Sequence, residues 1–306
     1  MKYRTLHIAI LLLFSLTASG QLQPLLEQYA LNGLAINPAY AGSQDALSLG
    51  IYNRNQWVGF EGAPKTFTFS AHTPLRDKKV GLGIMVVADR HGTKSETGLI
   101  ANYAYRIELK KGMLALGIAA GFSNLSTNTE LIRYTDPGDN LILNPGVHAL
   151  LPEFSFGAYY NSEKFFAGFS MPLMLDHTFN ETSGKYKIGM HPKHSNYMLL
   201  AGYLFRASND IELMPSILFK TNPGNDTQAD LNINMIFREK FWVGTSIRTN
   251  KNMAFMVQFQ ANSQLRIAYS YAYEFSELST YQKGSHEVML LYNFRYILDV
   301  ISPRYF

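Results

Sequence analysis

The chain has 306 residues, 16% of them charged and 13% aromatic, with no cysteine and a formal net charge of +4. The lack of cysteine excludes a disulfide framework, a cysteine-ligated zinc site, a thiol nucleophile and a lipidated N-terminal cysteine. The small, dispersed positive charge is no nucleic-acid footprint, and a charged fraction well below the roughly 25% of soluble domains points to an all-β chain that does not face water everywhere.

Residues 1–20 read as an export signal peptide. Lys2 and Arg4 form a positive start, residues 8–16 a short apolar core, and Ala18-Ser19-Gly20 supplies small residues before Gln21. The apolar run is too short to cross a bilayer as a helix, and no later run reaches roughly 18 apolar residues. Cleavage near Gly20 removes Lys2 and Arg4 and lowers the formal charge to about +2. The mature chain is then either exported and soluble or an outer-membrane β-barrel.

Residues 21–44 precede the first alternating stretch. In "QPLLEQYALNGLAINPAYAGS", Pro24 suits the first turn of a helix, Leu25, Leu26, Tyr29 and Leu31 share a face, and Gly33 is expected to end it. Asn37-Pro38 then forces an extended or turning backbone, and Gly42-Ser43 gives a second break. Periodicity does not separate a periplasmic lead-in from a short plug.

Beyond residue 45 the chain alternates with a period of two. In "QLRIAYSYAYE" (264–274), Leu265, Ile267, Tyr269, Tyr271 and Tyr273 share one face, and Gln264, Arg266, Ala268, Ser270, Ala272 and Glu274 the other. "DLNINMIFR" (230–238) does the same. Fourteen strands are expected, near 46–56, 65–73, 79–89, 95–108, 112–124, 153–161, 164–171, 196–206, 210–220, 228–238, 240–249, 252–261, 264–275 and 285–295. Many approach the nine to eleven residues that cross a bilayer at a tilt, longer than the usual five or six of a sandwich. Every second connection is tight ("PLRDKK", "KKG", "SEK", "ASND", "EK", "NSQ"). The intervening ones are longer, such as "VGFEGAPK", "RHGTK", 125–152, 172–194, "TNPGND" and "SELSTYQKG", with only "TNKN" short. Sorting of loops by side is how outer-membrane barrels are built. The expected fold is therefore an antiparallel up-and-down transmembrane β-barrel over 45–296, with both chain ends on the periplasmic side.

On this register Arg238, Arg248, Arg266, Glu274 and Arg295 point into the lumen, either paired with one another or forming a selective ring. Arg54 and Gln56 line the lumen below the first outward hairpin, which contains Trp57, Gly59, Gly62 and Pro64. Trp57 suits either an interfacial anchor or a partner contact. After Phe294 the tail 297–306 adds an apolar patch and then Pro303, Arg304, Tyr305 and Phe306, suited to a protein contact or to folding back into the barrel mouth.

The residues also resemble a known family. "QYALNGLAINPAYAGS" (28–43), "YNRNQWVGFEGAPKTFTFSAHTPL" (52–75), "VGLGIMVVADRHG" (80–92), "SHEVMLLYNF" (285–294) and "SPRYF" (302–306) are similar to segments of the PorP/SprF outer-membrane proteins, linked to the type IX secretion system of Bacteroidetes. The resemblance implies a fixed passage into the barrel at Asn37, Pro38, Tyr40 and Gly42, with Tyr40 inside the mouth. It also implies a role in secreting, or holding at the cell surface, a large exported protein such as a gliding adhesin through its C-terminal domain. The expected partners are outer-membrane lipid, the secretion or gliding machinery and that exported protein.

No catalytic, cofactor or metal site is expected. "GLG" at 81–83 lies in a strand, "HPKH" (191–194) reads as a solvated loop, and "TDPGDN" (135–140) reads as a turn without the spaced acidic ladder of an EF-hand. No spacing singles out a Ser/His pair for an outer-membrane lipid hydrolase. The alternative function is transport of hydrophobic small molecules past an N-terminal plug, against which the many lumen Asn, Gln and Arg argue.

Overall fold

The computed structural model describes residues 27–29, 31–127, 148–180, 185–193, 195–223 and 227–294. The stretch expected as an export signal, residues 21–26, "TDPGDN", His194, Arg295 and the tail with Pro303, Arg304, Tyr305 and Phe306 lie outside the described residues.

Alternating apolar and polar residues build an antiparallel meander of β1 (Leu47–Asn55), β2 (Lys65–Pro74), β3 (Val80–His91), β4 (Lys94–Leu109), β5 (Gly112–Thr127), β6 (His148–Asn161) and β7 (Phe165–Met171). A separate hairpin follows, β8 (Asp176–Asn180) with β9 (Lys185–Gly189). The meander resumes in β10 (Tyr197–Tyr203), which continues past Leu204 as β11 (Phe205–Arg206). Then come β12 (Ile211–Thr221), β13 (Thr227–Phe237), β14 (Phe241–Arg248), β15 (Asn252–Gln260), β16 (Leu265–Glu274) and β17 (Ser285–Phe294). β10 pairs with both β7 and β12, and β17 pairs with β1 from Leu47↔Phe294 to Asn55↔His286. With β10 and β11 taken as one interrupted strand, the chain is a closed fourteen-strand antiparallel barrel. Closure pairs the backbone of every wall strand and leaves no sheet edge, as a lipid-spanning sheet requires.

The pleat sorts side chains as the alternation predicts. In β13, Leu231, Ile233 and Met235 are 60%, 44% and 43% exposed, while Asp230, Asn232 and Asn234 between them are buried. The exposed row is the lipid face and the buried row the lumen.

The tight connections fall at 75–79, 110–111, 162–164, 207–210, 238–240 and 261–264, all on one side. On the other side the segment "RHGTK" is not a loop: Gly92 and Thr93 alone join β3 to β4, because both strands continue through it. β4 and β5 each run 16 residues, about 53 Å at 3.3 Å per residue. On the tight-turn side β4 runs on past Tyr105, the partner of Val80 at the start of β3, while on the side of the long connections β3, β4, β5 and β6 end in register. β6 likewise begins at His148, inside the stretch expected as loop.

The lumen differs from a uniformly polar interior. Tyr29, Leu34, Ile36, Ala39, Tyr40 and Ala41 form one apolar cluster with the wall residues Tyr159, Phe166, Met198, Leu218 and Trp242. A segment of the chain fills this space, and where chain replaces water, apolar contact stabilises.

Candidate functional site

Residues 27–29 and 31–46 run down the lumen, from the ends of β1, β13, β14 and β17 on the long-connection side to the ends of β2 and β3 on the tight-turn side. The described part of the segment expected as lead-in or plug lies inside the barrel. Its helical part differs from expectation. Gly33 does not end a helix but begins a short one, α1 (Gly33–Ile36). Glycine is needed there for another reason, since a Cβ on Gly33 would lie 2.4 Å from the Tyr40 ring folded against it.

Asn37 anchors the plug. Its Nδ2 donates to the carbonyls of Ala158 (3.0 Å) and Phe169 (3.2 Å), which face each other across β6 and β7. Its Oδ1 accepts from the Ala39 amide at 3.0 Å, capping the 3₁₀ turn Pro38–Tyr40, with Pro38 in the first-turn position. The wall makes room by omitting side chains. A Cβ on Gly157 would lie 2.0 Å from Asn37 Oδ1, one on Gly117 2.2 Å from the Ala39 nitrogen, and one on Gly81 2.0 Å from the Ala41 carbonyl oxygen. These contacts are with backbone or with a pinned amide, so no flexible side-chain end is available to yield.

Tyr40 is 4% exposed and packs edge-on against His72 and Tyr159, at ring separations of 5.5 and 5.4 Å. Its hydroxyl accepts from Gln44 Nε2 at 2.7 Å. The Gly42 amide donates to His72 Nδ1 at 3.2 Å. Gly42 itself has φ +77°, and a Cβ there would meet the Gly81 backbone at 2.9 Å. Higher in the lumen the Tyr52 hydroxyl donates to the Leu31 carbonyl, and the Tyr29 hydroxyl pairs with Ser216. Burial pushes the Tyr29 phenol up to about 12 and raises that of Tyr40, so both stay neutral at physiological pH.

An ionic cluster ties the upper end of the plug to the wall. Arg248 grips Glu27 in a fork, Nη1 to Oε1 at 3.1 Å and Nη2 to Oε2 at 2.9 Å, and its Nε donates to Asp230 at 2.8 Å. Arg54 reaches Glu27 at 2.9 Å and Glu287 at 3.8 Å, while the Glu27 amide donates to Glu287 at 2.9 Å. Lys220 is buried beside Asp230 of the same cluster. At the lower end Arg106 and Lys78 bind Asp45, at 2.9 and 3.6 Å.

The first outward loop is fastened to its neighbours. Trp57, at φ +47°, donates from its indole nitrogen to Glu274 Oε2 at 2.7 Å and from its amide to Ser285 Oγ. Val58 exchanges backbone hydrogen bonds with Lys283 and Gly284, and the Gly92 amide donates to the Gly62 carbonyl. Gly59 and Gly62 take positive φ, and the Gln56 amide donates to the Pro64 carbonyl to close the loop. Trp57 is thus a clasp between outer loops, a contact that the sequence reading did not anticipate.

Of the expected lumen charges, Arg248 joins the ionic cluster and Arg266 points inward, its guanidinium 4.2 Å over the Trp242 ring and its Nε on Gln260. Glu274 lies at the outer end of β16, held by Trp57 and Ser276. Arg238 is a correction. Its side chain is 63% exposed and pairs with Asp210 of the adjacent tight turn at 3.0 Å. β13 ends at Phe237, and left-handed Arg238 and Glu239 turn the chain, so strand alternation no longer governs residue 238. The sequence reading missed Glu27, Lys220 and the wall glycines. Gly81, Gly117 and Gly157 all occupy inward positions of long strands, where a missing side chain signals close approach of another backbone.

Above the plug, between β2 and β7, the lumen keeps a cavity of about 350 Å³ whose floor includes Leu34, Ala35, Ile36 and Pro38. No cluster of three or more potential metal ligands occurs among the described residues, and His191 lies exposed outside the barrel cluster.

A family model described as "Type IX secretion system membrane protein PorP/SprF" matches residues 18–292. No curated protein matches the chain. Among solved structures it is similar to the CymD monoaromatic hydrocarbon channel, at TM-score 0.51 and 12% identity over 91% of this chain and 95% of that one. The Acinetobacter baumannii outer membrane protein Omp33 matches at TM-score 0.48 and 7% identity, over 82% and 100% of the two chains. At 12% identity the likeness to CymD is one of fold.

Proposed function

The chain belongs to the PorP/SprF family of type IX secretion system membrane proteins, and from that premise we propose that it is a non-enzymatic outer-membrane platform for a large exported protein. In this reading the barrel holds the exported protein at, or passes it to, the cell surface, and its partner is an adhesin engaged through a C-terminal domain. The family match over 18–292 carries the proposal.

The geometry supports it in two ways. The plug is pinned by wall glycines, Asn37 and the Glu27 ion pairs, which suits a rigid support better than a gated conduit for small molecules. On the long-connection side β3 to β6 end in register and β6 runs on past the last β7 pair, Phe156↔Met171, so a structured wall stands there, away from the tight-turn side where secretion or motility proteins would dock. The transporter reading draws on the CymD-like fold alone, and the carboxylates around the upper cavity oppose an apolar substrate path.

The test is gentle-detergent purification of the tagged protein from its native outer membrane, with mass spectrometry of what accompanies it. A very large surface protein together with secretion components is the expected result. A barrel that emerges alone or carrying only lipid overturns the platform reading in favour of transport.

A further inference from the structure

The cavity above the plug has a composition unlike the rest of the lumen. Asp89, Glu96 and Glu153 line it, and its described lining contains no lysine or arginine. Asp89 is engaged by Thr66 and His91, and Glu153 by Ser123. Glu96 has no cationic partner among the described residues. At a similar height on the neighbouring wall, the barrel balances the buried carboxylates of the Glu27 cluster with arginine, so the imbalance here is local.

A second feature is independent of this charge. Asn32, 2% exposed, presents both its Nδ2 and its Oδ1 without a partner, and Asn102, 5% exposed, presents an unpaired Nδ2; both line the same cavity. A buried amide left unpaired is destabilising, so side chains kept this way in a cavity of ligand size are arranged for something that enters.

We propose that this vestibule docks an extended polypeptide segment bearing a lysine or arginine, entered from the side of the long connections; this deepens the platform reading and rests on it. The chemistry selects the occupant. The Asn32 amide edge offers one donor and one acceptor side by side, the complement of the N–H and C=O that a single residue of an extended strand turns to the same side. The Asn102 Nδ2 calls for a carbonyl. The carboxylates call for a cation, and the Leu34 and Ile36 floor for an apolar side chain. A polyamine answers the carboxylates but has no acceptor for the two Nδ2 groups, and an acidic oligosaccharide is repelled.

The experiment uses the full-length barrel in lipid nanodiscs, titrated calorimetrically with the blocked peptide acetyl-Ala-Lys-Ala-Ser-Ala-amide, with its norleucine-for-lysine analogue and with spermidine. Saturable binding of the lysine peptide is expected, weakened about tenfold or more by the norleucine change or by Glu96→Gln with Glu153→Gln, and about tenfold by Asn32→Leu. The norleucine arm needs no variant, so a misfolded mutant does not spoil the test. Absence of peptide binding, equal binding of the norleucine peptide, or spermidine binding as tight as the peptide's overturns the inference. The native-membrane purification separates the two readings. If the wild-type barrel brings down its exported protein while the peptide fails to bind, only the docking site falls. If the barrel comes out alone, the platform reading falls with it.

Discussion

Asn37 hangs its side-chain amide on the barrel wall, Nδ2 to the carbonyl of Ala158 at 3.0 Å, across 121 residues of chain. The contact exists because Gly157, next to Ala158, has no Cβ: one there would lie 2.0 Å from Asn37 Oδ1. A single missing methyl on β6 thereby sets where the plug rests. The same logic repeats at Gly117 against Ala39 and at Gly81 against Ala41.

Gly157→Ala is accordingly expected to lift the plug from its seat while the barrel still closes, since its β5 and β7 ladders do not depend on the plug. Overpacking of this kind costs about 1–3 kcal/mol. Thermal unfolding in detergent should shift downward, and protease should begin to cut within 27–46. Unchanged melting and unchanged protection would mean that the plug does not need this seat.

Removing Glu27 takes from Arg54 and Arg248 the carboxylate they share in a buried site, leaving Glu287 and Asp230 to face them. Breaking one partner of a buried pair costs about 3–5 kcal/mol, so Glu27→Ala should lower stability by that order. The exposed pair Arg238–Asp210 is the control, because Asp210→Ala should change stability by no more than about 1 kcal/mol. Equal effects of the two substitutions would show that the Glu27 cluster is not the fastening inferred from its burial.

Trp57→Phe keeps the ring and removes the N–H that Glu274 accepts. A hydrogen bond to a charged group contributes about 1.5–3 kcal/mol, but the loss falls on a loop outside the wall. The expected outcome is an intact barrel with faster proteolysis in 56–64 and 275–284, reproduced by Glu274→Gln. Loss of barrel assembly would place Trp57 in the folding core instead.

Deletion of 297–306 is expected to leave the barrel inserted and to lose the partner in native pull-downs. The closing ladder supports the first half, because β17 completes its pairing with β1 at Phe294↔Leu47. If the truncated chain fails to assemble, the tail is structural and its proposed contact role is wrong.

Strand number, register and sidedness were legible in the sequence because a β-strand in lipid obeys a local rule. Every second residue faces hydrocarbon, and the backbone can be satisfied only by neighbours in a closed sheet. Leu231, Ile233 and Met235 announce the outer face of β13 without reference to any other segment. Where the rule stops, reading stops with it: Arg238, one residue past the end of β13, leaves the lumen for a turn.

The sequence by itself thus determined the barrel, its fourteen strands and the alternation that turns Asp230, Arg248 and Arg266 inward. Only the tertiary structure decided what the interior holds. The seat of Asn37, the Glu27 ion pairs and the amides of Asn32 and Asn102 arise from residues far apart in the chain, brought together when the sheet closes around residues 27–46. The physical reason is one of range. Lipid acts on each strand separately and marks it locally, whereas packing inside the lumen depends on shapes that only the closed ring creates.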